Sequence, residues 1–111
     1  MQTDLWTYRD DLQTTDVEGF DVEATDGGIG HIDEATYDVG SSYIVVDTGP
    51  WIFGRKVMIP ASAIQRIDLD NRQVQLRLTK DQIKDSPELD ETTYTDESYR
   101  DRVGTYYGPI F

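Results

Sequence analysis

The feature that most constrains this chain is a series of short apolar runs between residues 20 and 78, each closed by a turn signal. Residues 20–24 and 73–78 alternate apolar and polar side chains. Residues 43–46 and 57–59 are apolar at every position, which is typical of strands covered on both faces. The runs recur at about the 8–12-residue spacing of barrels and sandwiches. The pattern predicts an all-β domain of about six antiparallel strands.

Two local features refine this sheet. Residues 25–28, Thr-Asp-Gly-Gly, predict a tight turn, because glycine adopts positive φ without a steric penalty. The apolar step from Ile32 to Ala35 breaks the period of two, so we expect a β-bulge at Asp33 and Glu34. An antiparallel sheet this small must close or lean on a partner to protect its edges, and we expect it to close into a small barrel.

A short helix and a long tail follow the predicted barrel. Thr79 and Gln82 have the spacing of a capping box, and the helix must end before Pro87. Residues 86–102 have the polar composition of a solvated segment, yet large aromatic side chains recur to the C-terminus. We therefore expect an extended aromatic tail lying along an apolar surface. The predicted organisation is an N-terminal arm over residues 1–15, a barrel over 16–79, and a short helix plus extended tail over 80–111.

Charge and length limit the classes of function. The 111 residues suit one domain, and 22 acidic against 10 basic residues give a net charge of −12. Tight binding to nucleic acid needs clustered lysine and arginine, so we expect no direct binding to RNA or DNA. The acidic excess fits either general solubility or adaptation to high salt, and composition does not separate the two.

Several other classes are excluded by what the sequence lacks. There is no cysteine, which removes disulfides, thiol catalysis and cysteine-ligated metal sites. No apolar run approaches the ~20 residues of a membrane span. The first residues, Met-Gln-Thr-Asp, have neither the basic nor the apolar region of a secretion signal. We expect a cytoplasmic protein without a membrane span.

Two patterns in the sequence partly match metal sites. His31, with Asp33 and Glu34 close in sequence, falls short of the three or four convergent ligands that a metal needs, and an exposed polar histidine is the better interpretation. The run from Asp68 to Asn71 begins like a calcium loop, but Arg72 and a glutamine follow where further ligands are required. That run predicts a β-turn. We expect no metal and no cofactor.

Catalysis has no motif in the sequence. Asp47 directly follows an apolar run and is the best candidate for a carboxyl with a raised pKa, but a turn-forming role before Gly49 is favoured. None of the serines lies in a nucleophile elbow. The glycines at 27, 28 and 30 open a strand rather than a helix, so they do not form a phosphate loop. We expect no catalytic residues and no enzyme.

Three segments together resemble the PRC-barrel family, which is named after the H subunit of the photosynthetic reaction centre. They are DGGIGHI at 26–32, YIVVDTG at 43–49 and WIFGRKVMIPA at 51–61. Residues 78–87 look like the helix that closes the free-standing members of the family. The tail also resembles the tail of these members, but more weakly. The resemblance implies a small β-barrel used as a docking module, without catalytic residues. The family includes a domain of a bacterial rRNA maturation factor. We expect neither that factor's partner domain nor the H subunit's membrane helix here, and so we expect that neither function transfers by resemblance alone.

Aromatic side chains outside the strands suggest how such a module binds. The interior of a small barrel cannot hold them all, and leaving them in water would create an unusually large apolar patch. Phe53 belongs to a Phe-Gly element of the resemblance and is expected to be structural, whereas Trp51 fits core and interface equally. The candidate interaction surface comprises Trp51, Phe53, Tyr99, Tyr106, Tyr107 and Phe111.

The function that we expect is therefore a non-catalytic interaction or scaffold module. We expect it to self-associate as a homodimer, with the tail crossing to the neighbouring subunit; a tail that folds back on its own barrel is the alternative arrangement. The alternative is an accessory factor in ribosome maturation or RNA processing that docks on a basic protein. The protein partner of either is unknown from sequence.

Overall fold

Ten regular elements make up the protein in its computed structural model, which describes residues 16–36, 42–48, 56–87, 89 and 97–110. The predicted N-terminal arm, Trp51, Phe53 and Phe111 lie outside the described residues. The elements are β1 (Asp21–Ala24), β2 (Gly27–Ala35), β3 (Tyr43–Asp47), β4 (Lys56–Pro60), a 3-10 turn (Ala61–Ala63), β5 (Ile64–Asp68), β6 (Gln73–Leu76), α1 (Lys80–Lys84), α2 (Glu97–Tyr107) and a second 3-10 turn (Gly108–Ile110).

The six strands form one mixed sheet in the order β4-β3-β2-β1-β6-β5. Four neighbouring pairs are antiparallel, but β1 and β6 run parallel, with Asp21 opposite Gln73. The prediction of a mostly β fold with six strands is confirmed, and the prediction of an antiparallel sheet is wrong at this pair. The reason lies in the link Ala61–Ala63, which does not reverse the chain. Strand β5 thus continues in the direction of β4, and β6 returns parallel to β1.

That link also determines how the sheet bends. The edge strands β4 and β5 lie at opposite ends of the sheet, yet only three residues join them. Three residues of 3-10 helix span about 6 Å, so the sheet must curl until its two ends approach. The N–H of Ala61 donates to Ser42 (3.1 Å), and Ala63 accepts from the N–H of Arg77 (2.8 Å). No ladder joins β4 to β5 in the described part of the chain, so the curled sheet is not closed by hydrogen bonds.

Bulges contribute to this curl. The ladder between β2 and β3 shifts between Ile32 and Glu34, which confirms the bulge predicted at Asp33 and Glu34. Two further shifts occur, one opposite Val22 and Glu23 and one between Ile64 and Arg66. Each adds a residue to one strand and increases the local twist.

Strand β3 is buried on both faces, as its continuous apolar run predicts. Tyr43, Ile44, Val45 and Val46 are all buried. Ile44 and Val46 point into the curled sheet with the apolar side chains of the other strands. Tyr43 and Val45 lie on the outer face, on the side of the sheet where α2 packs against β4.

The predicted extended tail is instead helical over Glu97–Tyr107. Tyr99, Val103 and Tyr107 are spaced by four, so one helical face carries all three into the core. The hydroxyl of Tyr99 donates to the carbonyl of Pro87 (3.0 Å) and fixes the helix on its own chain. Helix α1 has both hydrogen bonds of the predicted capping box between Thr79 and Gln82.

Candidate functional site

The three tail candidates that the structure describes, Tyr99, Tyr106 and Tyr107, are buried or half-buried. Tyr99 is 3% exposed and Tyr107 is 0% exposed, so both side chains belong to the core of the chain. Tyr106 is half-buried, contacts Tyr107 edge to face at 4.9 Å, and donates its hydroxyl to the carbonyl of Gln82 (2.6 Å). Leu69 is the only large apolar side chain that is exposed within the described residues. The described residues therefore present no cluster of exposed large apolar side chains.

The outer face of the sheet divides into a covered half and an open half. On β3 and β4 the outward side chains Tyr43, Val45 and Met58 are buried. On β1 and β2 the outward side chains Asp21 and His31 are exposed. The open half, called the acidic face here, carries Asp21, Glu23, His31, Asp33, Gln73 and Gln75.

Register places six polar residues in one row across the whole sheet. Residues directly opposite each other share a face, with Cβ atoms about 4.5–5.5 Å apart in antiparallel pairs. His31, the single histidine of the chain, thereby lies between Asp21 and Asp47. The complete row is Lys56, Asp47, His31, Asp21, Gln73 and Asp68. Sequence reasoning missed this row, because it follows from strand order.

Negative charge on this face is only partly compensated. Residues 16–36 contain seven carboxylates and no lysine or arginine. Lys56 pairs with Asp33 at 2.9 Å, across a contact in which both side chains are partly exposed. The carboxylates of Asp21 and Glu23 form no ion pair or side-chain hydrogen bond with any residue in the described ranges. Carboxylates on one strand or on neighbouring strands interact within the Debye length, which is about 8 Å at physiological salt. The acidic face therefore carries a negative potential.

The candidate calcium loop is a turn that uses its own carboxylate. Asp68 accepts from the backbone N–H of Asn71 (3.1 Å) and from its side-chain amide (2.8 Å). The side-chain hydrogen bond from Asn71, followed by the backbone one, lowers the pKa of Asp68 below its usual value. Residues 69–72 form the predicted turn, with Arg72 at a φ of 54°. Over the described ranges no three His, Asp or Glu side chains, His31 included, converge as a metal would require.

A groove of about 300 Å³ opens beside Glu23 on the acidic face. It lies over the parallel pair β1–β6 and the neighbouring edge strand β5. Its lining residues are Glu23, Ala24, Thr25, Gln65, Gln75 and Leu76. Asp47, the candidate carboxyl of the sequence, is the last residue of β3 and does not line this groove.

Comparisons with known proteins leave the family open. No protein-family model matches the chain, and no curated protein matches it either. Among the helices of the described segments, none is long and apolar enough to cross a membrane.

Proposed function

We propose that this chain is a non-catalytic, cytoplasmic PRC-barrel-type module that binds another protein through its acidic face. The observation that carries the proposal is the pair of carboxylates on β1, the exposed Asp21 and the partly exposed Glu23, with which no described residue forms an ion pair. Helix α2 packs on the other half of the sheet. The acidic face, which is the other half of the outer surface of the sheet, is thus left open for a partner.

The family assignment within this proposal rests on the segment resemblance together with the curl of the sheet. Three residues join edge strands at opposite ends of the sheet, and hydrogen bonds from Ala61 and to Ala63 connect this turn to both sides. A PRC-type barrel that closes at this turn would explain both the short link between the edge strands and these hydrogen bonds.

Charge complementarity selects the partner's chemistry. A face with uncompensated carboxylates attracts a protein segment rich in arginine and lysine, and such complementarity raises association rates and specificity. Nucleic acid carries the same sign of charge as this face and is disfavoured. An accessory factor that docks on a basic protein during ribosome maturation would use the same face.

Self-association is the weaker form of the proposal. Two copies of a chain with a net charge of −12 repel each other, and Tyr99 and Tyr107 are already buried within one chain. Light scattering coupled to size exclusion decides between the forms: a monomer at high concentration favours the basic partner, and a stable dimer favours self-association.

A fluorescent arginine- and lysine-rich peptide, titrated with the full chain, tests the acidic face. The paired change Asp21→Asn and Glu23→Gln should weaken binding by about tenfold, or about 1.4 kcal/mol. The matched control, Glu97→Gln with Asp101→Asn, removes two exposed carboxylates from α2 and should weaken binding less than about twofold. Equal losses in the two variants would show general attraction to an acidic protein and would overturn a defined docking face.

A further inference from the structure

We propose that the groove beside Glu23 is an arginine pocket that holds one guanidinium side chain of the partner. This inference rests on the proposed function and deepens it, because it names the anchoring side chain. A volume of about 300 Å³ is at the lower end of the range for ligand sites, roughly 300–1,000 Å³, and suits one side chain.

The groove exists because of a local departure from regular pairing. The ladder between β5 and β6 shifts between Ile64 and Arg66, which makes Gln65 an extra residue on the edge strand. Gln65 lines the groove on the β5 side. Ala24 and Leu76 complete the lining, although their side chains are buried in the core.

Glu23 gives the groove its charge. It lies opposite Gln75 on the parallel strand, and Gln75 lies opposite Arg66 on β5. The guanidinium of Arg66 is nearest to Asp68, at 3.8 Å, and does not pair with Glu23. The carboxylate of Glu23 is therefore not neutralised by Arg66, the cation that is aligned with it across β6.

The lining matches a guanidinium better than an ammonium. A guanidinium presents five N–H donors in a planar fork and binds a carboxylate through two parallel hydrogen bonds. The amide oxygen of Gln75 and the hydroxyl of Thr25 offer further acceptors beside Glu23.

Chemical-shift mapping of the full chain tests the pocket directly. The probes are N-acetyl-arginine methylamide and the corresponding lysine and citrulline compounds, the last being a neutral analogue of arginine. We expect saturable shifts at Glu23, Thr25, Gln75 and Leu76 with the arginine probe, weaker shifts with lysine and none with citrulline. Glu23→Gln should abolish the response, whereas Asp101→Asn, which removes one exposed carboxylate from α2, should preserve it.

The outcomes separate the pocket from the proposed function. If the basic peptide binds but the arginine probe shifts no groove residue, or if Asp101→Asn lowers the response to the probe as much as Glu23→Gln, the pocket is overturned and the docking face stands. If the probe binds at the groove but the peptide does not bind the chain, the docking face is overturned. Equal responses to arginine and citrulline would contradict recognition of the charge.

Discussion

Gly30 and Asp47 approach so closely that a Cβ atom on Gly30 would lie 1.9 Å from the backbone oxygen of Asp47. Gly30 also has a φ of +149°, which L side chains rarely adopt. The close approach lies where β2 meets the end of β3, next to His31 in the polar row. The register that aligns His31 with Asp47 therefore depends on a glycine.

Gly30→Ala should consequently destabilise the fold by at least about 3 kcal/mol, since backbone must move and the conformation is strained. Gly28→Ala is the matched control on the same strand, because, apart from its chain neighbours, no atom of the described residues lies within 4 Å of its added Cβ. The control should change the free energy of unfolding in denaturant by less than about 1 kcal/mol. Similar values for the two variants would contradict the register between β2 and β3.

Two buried serines should respond oppositely to alanine. The Ser62 hydroxyl has no hydrogen-bond partner in the described part of the chain, whereas the Ser86 hydroxyl donates to the carbonyl of Ile83 at 2.7 Å. Ser62→Ala should be neutral or stabilise the protein by up to about 1 kcal/mol, and Ser86→Ala should destabilise it by about 1 kcal/mol. Urea unfolding of both variants measures the difference. A large loss at Ser62 would reveal a hydrogen bond that this structure lacks.

Helix α2 should contribute to the stability of its own chain. Val103 is 0% exposed, and Val103→Ala removes about two methylene equivalents, worth about 1.6 kcal/mol. Thr105→Ala, an exposed change on the same helix, should stay within about 0.5 kcal/mol. These values should not depend on protein concentration. A concentration-dependent loss at Val103 would instead place the helix on a second copy.

Alkaline pH should destabilise the fold through two tyrosines. Burial, with a smaller contribution from Glu34, raises the pKa of Tyr43, and burial, with Asp85, raises the pKa of Tyr106. The unfolded chain loses these protons near pH 10, before the folded chain does, so the stabilisation is complete below pH 10 and falls as the pH rises further. Melting temperatures between pH 8 and 11 test this. Tyr106→Phe should flatten the alkaline decline, and an unchanged slope would contradict the role of Tyr106.

Much of the sheet could be predicted from local patterns. Alternation at Val22 and Ala24, the broken period after Ile32 and the capping box at Thr79 each report a local physical preference. The parallel pair could not be predicted, because it depends on whether residues 61–63 reverse the chain. Helix α2 was missed because polar residues dominate its composition, although the spacing of its buried residues by four was the available signal.

The acidic face was only partly predictable. The excess of carboxylates was evident in the sequence, and so was the absence of catalytic motifs. The row containing Asp21, His31 and Asp47 requires the strand order, because these residues are distant in sequence. The groove requires the register shift at Gln65, which no local pattern indicates.

The most direct test of the account is chemical-shift mapping of the full chain with an arginine- and lysine-rich peptide at low and at physiological salt. The account predicts that perturbed amides cluster on β1, β2 and β6, that the affinity falls as salt rises, and that α2 is unaffected. Perturbations centred on α2, or the absence of saturable binding at low salt, would contradict an acidic docking face.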